Sequence, residues 1–163
     1  MPTIIADTAS AENCIFCKKA VTKKSFYTTS KFSALYNVAP VLPGHSLIIP
    51  NGHFESLIEL SDNDLGEMMI FARKVTTVLK SVFKCDSFDW TIQDGVSAGQ
   101  TVPHLHLHII PRKPHDLPEG DEWYSKIPGN EKQMLDSQLR ERLNDDEYNA
   151  ITERLSKAAA LLI

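Results

Sequence analysis

Apolar and polar residues alternate along KFSALYNV, residues 31–38. Phe32, Ala34, Tyr36 and Val38 fall on one face, and Ser33, Leu35 and Asn37 on the other. A period of two is that of a strand. The turn APVLPG follows, held by Pro40 and Pro43. GHSLIIP then reads as a second strand bounded by Gly44 and Pro50, which closes a hairpin. Over residues 61–84 the period lengthens. Leu65, Met68, Met69, Ala72, Val75, Leu79 and Val82 recur at helical spacing behind a capping-box-like start at Ser61 and Asp64. A helix is expected there, with its methionines in the core. Alternation returns in SFDWTIQD, residues 87–94, with Phe88, Trp90 and Ile92 facing one way and Asp89, Thr91 and Gln93 the other. After the loop GVSAG a last strand is expected at about 104–110, stopping at Pro111.

Towards the ends the pattern weakens. Residues 1–12, rich in Ala, Thr and Ser, read as a flexible leader. Residues 112–130 carry Pro114, Pro118, Gly120, Pro128 and Gly129 among charges, and an irregular loop is expected. Residues 131–163 read as a C-terminal helical segment, in which Asp145 caps a helix carrying Ile151, Leu155, Ala158 and Leu162. No internal repeat or second set of elements is visible, so residues 1–163 read as a single domain. Two strands, a long helix, two more strands and a C-terminal helix imply an α+β fold on a mainly antiparallel sheet.

Composition narrows the class of partner. The chain is 42% hydrophobic and 23% charged, ordinary for a globular protein. A net charge of −4 gives no electrostatic reason to expect nucleic-acid or membrane binding, so a polyanionic ligand would need local recognition. No run approaches the roughly 20 apolar residues of a membrane span, and the N-terminus has neither the charged nor the apolar region of a secretory signal. Cys14, Cys17 and Cys85 are too few and too odd a set for a disulfide framework. A reducing interior is expected: the cytoplasm, with the nucleus also compatible.

Chemistry concentrates in GQTVPHLHLHIIPRK, residues 99–113, where three of the six histidines stand at alternate positions: His104, His106 and His108. On a strand these share one face, while Leu105, Leu107 and Ile109 point to the other. Neighbouring imidazoles on such a face would stand about 6–7 Å apart. Three readings are open. The face is simply polar; or the imidazoles chelate a metal, which wants a further ligand that the strand lacks; or one imidazole attacks phosphorus while its neighbours bind oxygens or move protons. The small-residue loop Gly99-Gln100-Thr101-Val102 favours the third, since its amides and hydroxyl suit phosphate. An imidazole is partly neutral at pH 7 and attacks without strong activation. Its second nitrogen needs an acceptor to fix the tautomer, and a main-chain carbonyl of the strand would serve.

His-Leu-His-Leu-His-Ile-Ile preceded by AGQTV resembles the histidine triad family of nucleotide hydrolases and transferases. Leu35-Tyr36-Asn37, the stretch PVLPGH ending at His45, Gln93-Asp94-Gly95 and Pro111-Arg112-Lys113 resemble its fragile-histidine-triad branch, in matching order over residues 31–113. The resemblance implies an α/β-meander homodimer that cleaves at the α-phosphate through a nucleotidyl-histidine intermediate. By it, His106 is the nucleophile, and His108 contacts phosphate and assists the leaving group, with His104 and His45 in support. Asn37 would hold the ribose, Leu35 and Leu47 would lie beside the base, and Gln93, Gly99, Gln100, Thr101 and Val102 would face phosphate.

Cys14-Ile15-Phe16-Cys17 is a separate feature. In a reducing compartment a CxxC pair is a metal knuckle or a redox pair, and no thioredoxin-like strand precedes a helix here. ENCIFCKK, together with IIPNGH ending at His53, is similar to the zinc-containing branch of the same family. That resemblance implies a structural zinc held by Cys14, Cys17, His53 and His104, with His106 and His108 left for chemistry. The chain thus combines signatures of two branches.

The expected activity is hydrolysis of dinucleoside polyphosphates, diadenosine triphosphate giving AMP and ADP, with a divalent cation accompanying the nucleotide. A purine nucleoside phosphoramidase is the alternative within the family, and a nucleotide-binding signalling or scaffold protein the alternative outside catalysis. Tyr124 occupies the place of a loop tyrosine over the phosphates in the hydrolase branch, or else simply anchors its loop.

Overall fold

A computed structural model of the chain describes residues 8–116 and 140–163. Most of the expected irregular loop, Tyr124 and the first part of the C-terminal segment lie outside the described residues. The elements are α1 (Thr8–Asn13), a 3-10 turn (Ile15–Cys17), α2 (Lys19–Thr22), β1 (Tyr27–Thr28), β2 (Phe32–Tyr36) and β3 (Ser46–Pro50). A 3-10 turn (Leu57–Glu59), α3 (Asp62–Phe83), β4 (Ser87–Ile92), a 3-10 turn (Val96–Ala98), β5 (Leu107–Arg112) and α4 (Asp145–Leu162) follow. The architecture is α+β. Its five strands lie in the order β1-β2-β3-β5-β4, every neighbouring pair antiparallel.

Alternation in β2 separates two cores. Phe32, Ala34 and Tyr36 join Ile48, Leu105, Leu107 and Ile109 beneath α3 and α4. Leu35 packs on the opposite side with Leu47, Ile49, Cys14 and Phe16. The helices therefore cover one face of the sheet, and the N-terminal segment covers part of the other. Val38 does not continue the strand: β2 ends at Tyr36, and Val38 is exposed. Its carbonyl instead takes the Leu143 N–H at 2.9 Å, and the Ala39 carbonyl takes Arg140 Nε at 2.8 Å.

Ser61 caps α3 as the sequence implies, its hydroxyl accepting the Asp64 N–H. The buried stripe of α3 is Met68, Phe71, Ala72, Val75, Val78 and Leu79. Met69 departs from expectation at 43% exposed, because it lies one position round from the core face. α4 is capped by Asn144 rather than Asp145. The Asn144 side chain accepts from Glu147 N–H and the Glu147 carboxylate accepts from Asn144 N–H, a full capping box.

Two further expectations change. Residues 8–13 are helical rather than loose: TASAEN has only Ala9, Ala11 and Glu12 as good helix formers, and it leads directly into the anchored Cys14 and Phe16. β5 does not stop at Pro111 but runs through it to Arg112. β3 pairs with β5 only as far as Ile109, so Pro111 sits where one side of the strand has no ladder to break. Arg112 then ties the strand end down, its guanidinium donating to Asp89 (2.7 Å) and to both oxygens of Asp116. Among the described residues no helix is long and apolar enough to cross a membrane.

Candidate active site and metal-ligating cluster

The three histidines approach and enter β5. His108 belongs to the paired strand, whereas His104 and His106 lie in the extended approach to it, where Leu105 N–H donates to Phe54 O at 2.5 Å. All three are essentially buried, on the side away from the helices. The alternation holds: Leu105, Leu107 and Ile109 are in the main core. The rings stand closer than an ideal strand implies, with His106 and His108 centroids 4.9 Å apart at an interplanar angle of 70°.

Hydrogen bonds fix the tautomers. His106 Nδ1 lies 2.7 Å from the His104 carbonyl, so Nδ1 carries the proton and the lone pair is on Nε2. On the other side, Val41 N–H donates to His45 Nδ1 at 3.2 Å, which leaves the His45 proton on Nε2. That N–H reaches His108 Nδ1 at 2.9 Å, which in turn places the His108 proton on Nε2. The pair of rings at the centre thus carries opposite tautomers. One offers an Nε2 lone pair and the other an Nε2–H donor.

The other residues expected at the site distribute as follows. Asn37 is buried, its Oδ1 accepting the Ala39 N–H (2.9 Å) and its Nδ2 3.5 Å from His45 Nε2. Leu35 and Leu47 oppose each other in the β2–β3 register, and with the partly buried Val102 they line the second core. Gln93 donates from Nε2 to Ala98 O (3.1 Å), and its buried Oε1 has no partner among the described residues. Gly99 adopts φ +99°, a conformation that strains any L side chain, and a Cβ there would also displace the flexible end of Gln93. The Gly99 and Gln100 amides donate within the loop, to Val96 O and Gly95 O, and Thr101 is exposed.

A second cluster adjoins the triad. One donor atom each from Cys14, Cys17, His53 and His104 lies within 4.8 Å of all the others. His104 Nδ1 is 3.4 Å from Cys14 Sγ and 3.6 Å from Cys17 Sγ, and His53 Nδ1 is 3.3 Å from Cys17 Sγ. Tetrahedral zinc, with bonds near 2.3 Å to sulfur and 2.0–2.1 Å to nitrogen, sets sulfur–nitrogen edges of about 3.6 Å, so the donor set fits such an ion. The far nitrogens are held as metal-bound histidines require. His104 Nε2 donates to Pro50 O (3.0 Å), and His53 Nε2 lies 3.4 Å from Glu55 Oε1. Burial, first, lowers the His104 pKa to about 4, which keeps its ring neutral and ligating. Burial and then the neighbouring Cys14 push the Cys17 thiol up to about 11, so it is the arrival of a cation that would deprotonate it.

The HIT domain family matches residues 18–115, which contain the triad, the loop before it and His53. The chain belongs to the HIT family. A bis(5'-nucleosyl)-tetraphosphatase (asymmetrical) from Schizosaccharomyces pombe is 42% identical over 134 residues, 81% of this chain and 74% of that protein. A bis(5'-adenosyl)-triphosphatase from Dictyostelium discoideum is 39% identical over 102 residues, 63% of this chain and 68% of the relative. Among solved structures, a hypothetical histidine triad nucleotide-binding protein from Sulfolobus tokodaii superposes with a TM-score of 0.70. It is 30% identical, and the match covers 91% of this chain and 93% of that one.

Within the HIT domain the structure brings in side chains that pattern reading passes over. Phe16 packs edge-on to His104 and tilted against His106, at centroid distances of 5.6 and 5.5 Å. The signal was available, since any ligand set joining Cys14 and Cys17 to His104 carries the residue between them onto the triad. Asp94 takes the Ser56 hydroxyl (3.0 Å) and the Leu57 amide (2.9 Å), pinning the loop after β4 to the segment after β3. Nothing in the spacing of Asp94 announces that contact.

Proposed function

We propose that this HIT protein hydrolyses dinucleoside polyphosphates at the α-phosphate through a covalent nucleotidyl-histidine. The observation that carries the reading is the His106 Nδ1–H bond to the His104 carbonyl, which presents Nε2 as a nucleophile 4.9 Å (ring to ring) from His108. His106 Nε2 attacks the α-phosphorus, and the bond from that phosphorus to the bridging oxygen breaks. His108 Nε2–H donates a hydrogen bond to the leaving phosphate oxygen, which departs as its anion, and the His45 Nε2–H on His108 Nδ1 holds that donor in place. Water then attacks the nucleotidyl-imidazole, the nitrogen–phosphorus bond breaks, the water proton goes to solvent, and the nucleoside monophosphate is freed with His106 again neutral on Nδ1–H.

Around this step, Asn37 binds the ribose, Leu35 and Leu47 flank the base, and Gln93, Gly99, Thr101 and Val102 face the phosphates, while the Gln100 side chain is turned into its own loop. The ion of the second cluster is zinc. The two-sulfur, two-nitrogen donor set supports it, and its contribution is to cross-link the leader to the catalytic strand. The protein acts as a homodimer, a reading supported by the edge position of β4 and its exposed Trp90. Its compartment is cytoplasmic, in keeping with three free cysteines. Purified protein and its His106→Ala variant are incubated with diadenosine triphosphate, and nucleotides are followed by chromatography. Equimolar AMP and ADP from the unmodified protein alone are expected. No product from either overturns the reading and directs attention to adenosine phosphoramidates.

A further inference from the structure

Gln100 lies in the loop read as phosphate-binding, yet its side chain is turned inward. Gly95 N–H donates to Gln100 Oε1 at 2.7 Å, and Gln100 Nε2 donates to Glu55 O at 2.8 Å and to His104 O at 3.4 Å. One acceptor and two donors of a primary amide are thereby all used on main chain. The last of these acceptors matters most, because the same His104 carbonyl receives His106 Nδ1–H. That oxygen has two lone pairs; the His106 ring lies at 2.7 Å from it and Gln100 Nε2, more loosely, at 3.4 Å. The remaining bonds set where Gln100 sits. Glu55 belongs to the segment whose His53 completes the metal cluster and whose Phe54 carbonyl takes Leu105 N–H, while Gly95 opens the loop after β4.

We propose that Gln100 is a positioning residue for His106: it orients the carbonyl that fixes the nucleophile's tautomer, and it couples that carbonyl to the metal-bearing segment and to the loop. Its side chain is not a phosphate ligand. The proposal rests on His106 being the nucleophile. Turning the amide out to a substrate would break its bonds to Gly95 and Glu55, whereas leaving it in place keeps the His104 carbonyl aimed.

Two variants test this. Gln100→Met keeps the length and removes all three bonds. Gln100→Glu keeps an oxygen for Gly95 N–H and loses the donor. With diadenosine triphosphate, both are expected to lower kcat about tenfold, the scale of one misoriented hydrogen bond. KM is expected to stay within about twofold. In protein labelled with 15N-histidine, the His106 ring shifts at one fixed pH report its tautomer, assigned by loss of the signal in His106→Ala. The Nδ1–H form is expected to dominate in the unmodified protein and to lose population in both variants. A rise in KM with kcat retained would make Gln100 a phosphate ligand and overturn the proposal. Unchanged His106 shifts in both variants would overturn it as well, whatever happens to kcat. If the unmodified protein releases no AMP, the hydrolase reading fails by itself, and the ring shifts still decide what Gln100 does to His106.

Discussion

At the residue scale, the opposite tautomers of His106 and His108 separate two roles that mutation can tell apart. His108→Ala removes the Nε2–H donor and is expected to lower kcat on diadenosine triphosphate by about 10²–10³-fold. On a p-nitrophenyl ester of AMP, whose leaving charge is drawn into the nitro ring away from the bridging oxygen, the loss should be smaller. An equal loss on both substrates would show that His108 does something other than stabilise the leaving oxygen. Gly44 makes a different kind of demand. Its φ is +97°, and a Cβ there would stand 2.6 Å from the Pro111 ring, just ahead of His45. Gly44→Ala is therefore expected to cost about 1–3 kcal/mol through strain and overpacking, read as a lower urea midpoint with unchanged slope. The gathering of the three imidazoles on one buried face was legible, because alternate positions along an extended segment point the same way. The inward turn of Gln100 was not, since nothing local distinguishes an amide that faces a ligand from one that braces its own loop.

Elements were legible wherever one periodicity dominated. The β2–β3 hairpin, α3 and α4 all follow from it, and the misses come from what periodicity omits. Val38 continues the alternation in sequence but leaves the strand, because its carbonyl is claimed by Leu143 from the far end of the chain. Met68 and Met69 are adjacent and alike in composition, yet a step of one residue turns about a quarter of the helix circumference. Met68 is fully buried while Met69 is 43% exposed. Chemical unfolding should read this directly. Met68→Ala is expected to cost about 2–5 kcal/mol, and Met69→Ala to stay within about 0.5 kcal/mol. Equal costs would place α3 in a different rotation from the one described. The placement of β5 between β3 and β4 had no sequence signal, because register across non-consecutive strands is set by packing rather than by local pattern.

For the whole molecule, the cluster of Cys14, Cys17, His53 and His104 links stability to pH, and would link it to any metal held there. In the metal-free protein the His104 pKa falls from 6.5 to about 4 on folding, chiefly through burial. The unfolded chain then binds the proton first as pH drops. Stability is complete above about pH 6.5 and declines towards pH 4, by up to about 3 kcal/mol. His104→Gln should flatten that decline in chelator-treated protein, and an unchanged slope would assign it to other groups. The same cluster joins positions far apart in the chain, Cys14 and His104 being 90 residues apart in sequence. An ion bound there acts as a removable clasp on a very long loop. Clasps of that span stabilise mainly by shrinking the unfolded ensemble, on the order of 4–5 kcal/mol for a disulfide of similar reach. The order of synthesis gives this a temporal side. The two thiols leave the ribosome well before a histidine made much later, so the triad face is sealed only when nearly all of the sheet has been translated.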